Sequence, residues 1–226
     1  MAIELYATAG SVEKDLRNHV VIVVDVLRAT SVMVTAVEHG VRFIIPVSEV
    51  EEAVDMARQL GNQRVLLCGE RQAKPIPEFH LSNSPLEYTP EMVADRVMVM
   101  TTTNGTRAIL RAKDARVLLL GSFLNASAVA HVARENGENI AIVCAGTNGK
   151  FSLDDILCSG AIISRLLELD GNQYLDDLAR TALTLYESYK DDLRAALAGC
   201  AHVERLRSLG MEDDIRFCLQ VRKLSP

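Results

Sequence analysis

The chain of 226 residues is 49% hydrophobic and 24% charged, with 24 Lys and Arg against 30 Asp and Glu for a net charge of -6. This composition supplies a sizeable buried core and excludes disorder over most of the length, while the acidic balance, the lack of a basic run and the absence of Trp argue against nucleic acid as a partner. No stretch approaches the ~18 apolar residues of a membrane span and no basic segment followed by an apolar run opens the chain, so a cytoplasmic protein with no membrane partner is expected.

Taken in chain order, runs rich in Val, Ile and Leu fall at 20–24, 41–47, 64–67, 97–100, 117–120 and 140–144. They are continuous rather than alternating, as a strand covered on both faces requires. Segments with helical spacing lie between or after them, at 29–38, 49–60, 105–111, 126–135 and 152–169. This alternation predicts an α/β fold, a three-layer α/β/α sandwich with a mostly parallel or mixed sheet, in one domain spanning 1–226. Cys68, Cys144, Cys158, Cys200 and Cys218 are spread out with no C-x-x-C pair, and read as small buried hydrophobes.

The stretch 72–90 carries Pro75, Pro77, Pro85 and Pro90 with no regular period and reads as a long ordered loop. From about 174 to 226 the texture becomes charged and rich in Ala and Leu, for example at 176–197 and 201–209, which predicts a helical C-terminal segment. Its charges read as a solvated helix face, and its apolar face suggests packing on the sheet or a homodimer. The sequence VDVLRATS at 24–31 echoes MTTTNGTR at 100–107, a hint of two similarly built halves.

Ligands of open α/β sheets sit beyond the carboxyl ends of the strands. Chemistry is therefore expected in the residues just beyond each apolar run. The sharpest signal is TTTNGTR at 101–107, where Thr102, Thr103, Asn104, Gly105, Thr106 and Arg107 combine hydroxyls, an amide, a close-approach glycine and a cation without adding negative charge. A phosphate or sulfonate would use such a set, although a threonine-rich turn that merely caps a helix is the competing reading. After 20–24 comes Asp25, a charge ending a run of pure Val and Ile, followed by Arg28, Thr30 and Ser31. Asp25 either meets a cation or caps the following helix, and Arg28 either pairs with Asp25 or contacts a phosphate. Glu70 stands just beyond the run at 64–67.

Asp154 and Asp155 open the helical stretch 152–169, where Ser152 and Asp155 could form a capping-box-like pattern. Near Asp25 and Glu70 they could instead hold Mg²⁺, which wants one or two carboxylates, waters and substrate oxygens. The loop GTNGKFS at 146–152 has two residues between its glycines where a P-loop has four, so an ATPase or GTPase is excluded. No G-x-S-x-G elbow supports a serine hydrolase. His19, His39 and His131 read as surface residues, while His80 and His202 stay open.

The blocks DVLRATS (25–31), CGER (68–71), SNSPLE (82–87), TTTNGTR (101–107) and CAG (144–146) with FSLDD (151–155) resemble the signature blocks of the 2-phosphosulfolactate phosphatase family, in family order over roughly residues 20–165. The resemblance implies a Mg²⁺-dependent phosphatase that converts 2-phosphosulfolactate to sulfolactate and phosphate, a step towards coenzyme M or sulfolactate itself. On that basis Asp25 with Asp154 or Asp155 would hold Mg²⁺. Arg28, Arg107 and the donors of Thr102, Thr103, Asn104, Gly105 and Thr106 would hold a small anionic phosphate ester, with Thr30 and Ser31 beside them. Glu70 would carry a proton or orient another group, and Asp25 could alternatively attack phosphorus directly. The match departs in the proline-bearing loop, where Ala73, Glu78, His80 and Ser82 stand in place of a glycine- and aspartate-bearing stretch. That departure leaves open a different phosphorylated hydroxy acid as substrate. A non-catalytic anion-binding domain of the same fold is the remaining alternative.

Overall fold

The computed structural model describes residues 2–61, 64–137, 139–171 and 173–221. Its strands form two sheets rather than the one expected. The first contains β1 (Ala2–Tyr6), β2 (Val20–Val24), β7 (Val117–Gly121), β8 (Asn139–Cys144) and β9 (Tyr174–Leu175), in the order β7-β2-β8-β1-β9. Every pair in it is parallel. The second contains β3 (Phe43–Pro46), β4 (Val65–Arg71), β5 (Lys74–Pro75) and β6 (Val97–Thr101), in the order β3-β6-β4-β5. It is parallel except for the β4–β5 hairpin.

Helices α1 (Ala29–Glu38) and α4 (Gly105–Arg111) fill the space between the sheets. There Val21, Val23, Ala141 and Val143 of the first sheet share a buried cluster with Leu66, Cys68, Met98 and Met100 of the second, and with Val32, Met33, Ala108 and Ile109 of the two helices. The outer face of the first sheet, including Ile22, Ile140 and Ile142, packs on α5 (Ala126–Asn136), α6 (Leu153–Leu169) and α7 (Asp177–Tyr189). The outer face of the second, including Val65 and Val99, packs on α2 (Val50–Leu60) through Ala53 and Ala57. The result is an α/β fold in which two sheets share a central helical layer. An apolar run reports that both faces of a strand are covered, but not which strand lies beside it.

The continuous run of β2 is buried at all five positions, as expected of a central strand. β3 is an edge strand with Phe43 exposed, and its terminal Pro46 is tolerated there. β1 is an addition to the sequence reading. Its alternating burial, with Ile3 and Leu5 inside and Glu4 outside, is the pattern of a half-covered strand and not a continuous apolar run. β9 corrects the expectation of a purely helical segment from 174 onward. The remainder of the described C-terminal region is helical, comprising α7, α8 (Leu193–Ala196), α9 (Ala201–Ser208) and α10 (Glu212–Cys218). The stretch 72–90 begins as a tight hairpin turn and ends where α3 (Pro90–Val93) starts. None of the described helices is long and apolar enough to cross a membrane. The cysteines are unpaired, four of them buried and Cys200 half-buried.

Candidate active site

The carboxyl ends of both sheets open onto one cleft of about 330 Å³, with α9 forming another wall. Asp25 and Arg28 enter it from the turn after β2, Glu70 from the end of β4, and Thr103 and Asn104 from the turn after β6. Thr147 and Asn148 come from the loop after β8, Asn83 from the proline-bearing stretch, and His202 and Arg205 from α9. Groups from separate turns of the sequence thus meet at the junction of two sheets.

Asp25 sits at the centre of this arrangement, buried, with Oδ1 accepting a hydrogen bond from the Ala29 N–H at 3.3 Å. It therefore touches the start of α1 as a cap does while also facing the cleft. Burial pushes its carboxyl up to about 7; the charge of His202 opposes this, and the neighbouring carboxylates of Glu70 and Asp154 add to it. The 101–107 turn lies directly against it. A Cβ on Gly105 would come within 2.6 Å of both Asp25 Oδ2 and the Ala29 methyl, so only glycine allows this approach.

Asp154 is almost fully buried. Its Oδ1 accepts from the Ser152 hydroxyl at 2.6 Å, and its Oδ2 has no hydrogen-bond partner and stands 3.4 Å from His202 Nδ1. Burial lowers the pKa of His202, but the carboxylates of Asp154 and Asp25 outweigh it and hold the imidazole above its ordinary value. Asp155 reaches away from its own helix to two loops. Its Oδ1 accepts from the Val26 N–H at 2.9 Å and its Oδ2 from the Gly146 N–H at 3.0 Å, clamping the loops after β2 and β8 together. No capping box with Ser152 forms, because Asp155 reaches away from its own helix and the Ser152 hydroxyl is turned to Asp154.

The threonines divide into scaffold and lining. Thr102 and Thr106 bond reciprocally, each hydroxyl accepting the other's backbone N–H at 3.0 and 3.1 Å. Thr30 Oγ1 accepts from the Asp25 N–H at 3.1 Å, and the Ser31 hydroxyl donates to the Val26 carbonyl at 2.8 Å. These four side chains hold the turns and do not line the cleft. Thr103 and Asn104 do line it. The Asn104 amide oxygen accepts from the Asn148 N–H at 3.2 Å, which leaves its NH₂ group for another acceptor.

Glu70 is an orienting group. Its carboxylate accepts from the Thr103 N–H at 2.6 Å, the Thr103 hydroxyl at 3.1 Å and the Ala73 N–H at 2.6 Å, binding the turn after β6 to the hairpin tip. Arg28 does not pair with Asp25. Its Nη1 is buried in an ion pair with Asp214 of α10, whose Oδ1 accepts from the Ser84 hydroxyl at 2.6 Å. Arg107 stands outside the cleft, exposed and 3.4 Å from Glu49, because its position on α4 directs it to solvent.

His202, Arg205 and Asn83 are lining residues to which the sequence alone gives no role, and Asp214 supports Arg28 from the same C-terminal region. His202 and Arg205 lie in a segment whose charges look like an ordinary helix face, so nothing local marks them. Asn83 is buried and its amide oxygen has no partner. It lies within the SNSPLE block, where its neighbours are equally polar and nothing sets it apart.

Among the described residues no set of three or more His, Cys, Asp or Glu converges to hold a metal. Mg²⁺ needs less, since one or two carboxylates suffice when water and substrate supply the other oxygens. Asp25, with its charge destabilised by burial, and Asp154, with an orphaned buried oxygen, fit that demand; Asp155, with both oxygens committed to backbone, fits it less well.

The side chains that depart from the resemblance in the proline-bearing loop do not face the cleft. Glu78 is exposed, His80 Nδ1 accepts from the Leu67 N–H at 3.0 Å, and the Ser82 hydroxyl donates to Glu87 at 2.6 Å. Ala73 is the exception and lies at the cleft's edge.

A family model described as 2-phosphosulpholactate phosphatase matches residues 6–225. The chain is 45% identical over 224 residues to a protein of Caldanaerobacter subterraneus subsp. tengcongensis named "Probable 2-phosphosulfolactate phosphatase", with 99% of this chain and 92% of that one covered. Proteins of the same name from Clostridium novyi and Clostridium beijerinckii are 42% and 39% identical, covering 96% and 97% of this chain and 92% of each of theirs.

Proposed function

The chain belongs to the 2-phosphosulfolactate phosphatase family, a family of phosphoric monoester hydrolases, and from that premise we propose that it hydrolyses 2-phosphosulfolactate to sulfolactate and phosphate in the cleft between its sheets, with Mg²⁺ as its metal. The observation that carries this reading is the meeting of Asp25 and Arg28 from the turn after β2, Asn104 from the turn after β6 and His202 from α9 around one small polar cleft.

Hydrolysis of a phosphate monoester demands positioning of the ester and neutralisation of charge on the transferring phosphoryl group. Arg28, rigidly placed by Asp214, would turn its remaining N–H groups to the phosphoryl oxygens, and the Asn104 NH₂ would hold another. Glu70 fixes the backbone from which Thr103 and Asn104 project. Asp25 and Asp154 would hold Mg²⁺, which when bound supplies further positive charge to the phosphoryl oxygens. Water attacks phosphorus, the bond from phosphorus to the ester oxygen breaks, and that oxygen needs a proton as it leaves. His202 would donate this proton from Nε2, since its Nδ1 stands against Asp154 and Ser152. The family-divergent side chains Glu78, His80 and Ser82 lie away from the cleft, so they give no reason to prefer another hydroxy acid as substrate.

Purified protein should release phosphate from 2-phosphosulfolactate with Mg²⁺, lose that activity in EDTA and regain it on Mg²⁺ addition. Turnover that persists in the chelator would remove the metal from the proposal, and no phosphate release under any condition would remove the reaction.

A further inference from the structure

Among the described residues, the cationic side chains that line the cleft each stand against a carboxylate, with one exception. Arg28 is neutralised by buried Asp214, and His202 stands 3.4 Å from Asp154. Arg205 lines the same cleft and has no carboxylate partner among the described residues. Its Nη2 donates to the Gln72 carbonyl at 3.0 Å. A guanidinium carries five N–H donors, so this single bond leaves most of its capacity unused.

That one bond is held in a fixed place. Gln72 and Ala73 form the two-residue turn between β4 and β5, and both adopt left-handed backbone, with φ of 55° and 65°. Two hydrogen bonds secure the turn from below, from the Ala73 N–H to Glu70 at 2.6 Å and from the Gln72 N–H to Thr103 Oγ1 at 3.2 Å. Glu70 and Thr103 therefore connect the phosphate-facing turn with the carbonyl that seats Arg205. A planar cation with spare parallel donors, held at a cleft edge, suits bidentate recognition of a carboxylate or sulfonate.

We propose that Arg205 is a specificity residue, binding the anionic group that the substrate carries beside its phosphate. This inference rests on the proposed substrate class, because 2-phosphosulfolactate bears both a carboxylate and a sulfonate in addition to the ester. Loss of the guanidinium weakens ground-state and transition-state binding alike, so its effect falls on KM more than on kcat.

The test compares Arg205→Gln and Arg205→Lys with the unsubstituted enzyme on four esters: 2-phosphosulfolactate, 2-phospholactate, O-phosphoisethionate and ethyl phosphate. Arg205→Gln should raise KM for 2-phosphosulfolactate by about 10- to 100-fold, the range for one charge-assisted hydrogen-bonding group, and Arg205→Lys should recover part of the loss. The increase should be at least about tenfold larger than for ethyl phosphate, which has no second anion. Whichever of 2-phospholactate and O-phosphoisethionate shares the large increase identifies carboxylate or sulfonate as the group bound. Equal losses on all four esters would overturn the inference and leave Arg205 as a latch on the hairpin, and no loss on any would overturn it too. Calorimetric binding of sulfolactate provides a readout that needs no turnover. If the unsubstituted enzyme hydrolysed none of the esters, the proposed reaction would fall, while weaker sulfolactate binding by Arg205→Gln would still support the role given to Arg205 and equal binding would refute it.

Discussion

Asp25→Asn should make the metal-free protein more stable at neutral pH while disabling it. The Asp25 carboxyl has its pKa raised from 3.8 to about 7 in the folded protein. Between those two values the folded state binds more protons than the unfolded state, so this group's contribution to stability is intact below about pH 4, declines as pH rises, and is lost once pH passes about 7. A difference of about 3 pKa units corresponds to about 4 kcal/mol. Asparagine keeps an oxygen for the Ala29 N–H and carries no charge, but places an NH₂ where Oδ2 now lies beside Gly105. An unsatisfied donor there costs roughly 1–3 kcal/mol, so the net gain at pH 8 should be about 1–3 kcal/mol, or roughly 2–10 °C in Tm for a chain of this size. Thermal melts of both proteins in EDTA across pH 4–8 provide the assay, alongside phosphate release with Mg²⁺, which should fall by at least ~100-fold. The gain should fall as pH drops and turn into a loss of about 1–3 kcal/mol near pH 4, where the charge penalty has gone and the unsatisfied donor remains. A variant that is less stable than the parent at pH 8, or a stability difference independent of pH, would refute the reasoning that Asp25 is a carboxylate held in its site at the expense of the fold.

Gly105→Ala should lose stability and activity together, because its methyl would need to occupy space 2.6 Å from both Ala29 and Asp25; a melt should register a loss of about 1–3 kcal/mol, typical of overpacking, and kcat should drop. His202→Gln should lower kcat on an alkyl ester by roughly 10²- to 10⁴-fold, but much less on an aryl phosphate whose phenol leaves without a proton. An equal loss on both leaving groups would show that His202 does not protonate the departing oxygen.

Several parts of this protein are readable from single segments. The run at β2 is wholly apolar and its strand is buried throughout, while TTTNGTR does form a strand-to-helix turn beside the cleft. In these places residue type and local backbone act within a few positions of one another. Arg107 points away from the cleft that its motif adjoins, and Asp155 binds the Val26 and Gly146 backbone instead of capping its own helix. A sequence shows that a side chain is charged but not the direction in which its helix or loop presents it.

The local sequence determined the α/β alternation, the turns that end the strands, and the acidic and hydroxyl groups in them, since hydrophobic period and turn chemistry are short-range properties. Tertiary structure alone decided that the strands divide between two sheets, that Arg28 is anchored by Asp214 across 186 positions of chain, and that α9 brings His202 and Arg205 to the cleft. Those contacts depend on how whole layers pack, and the side chains that make them follow no local period that would announce them.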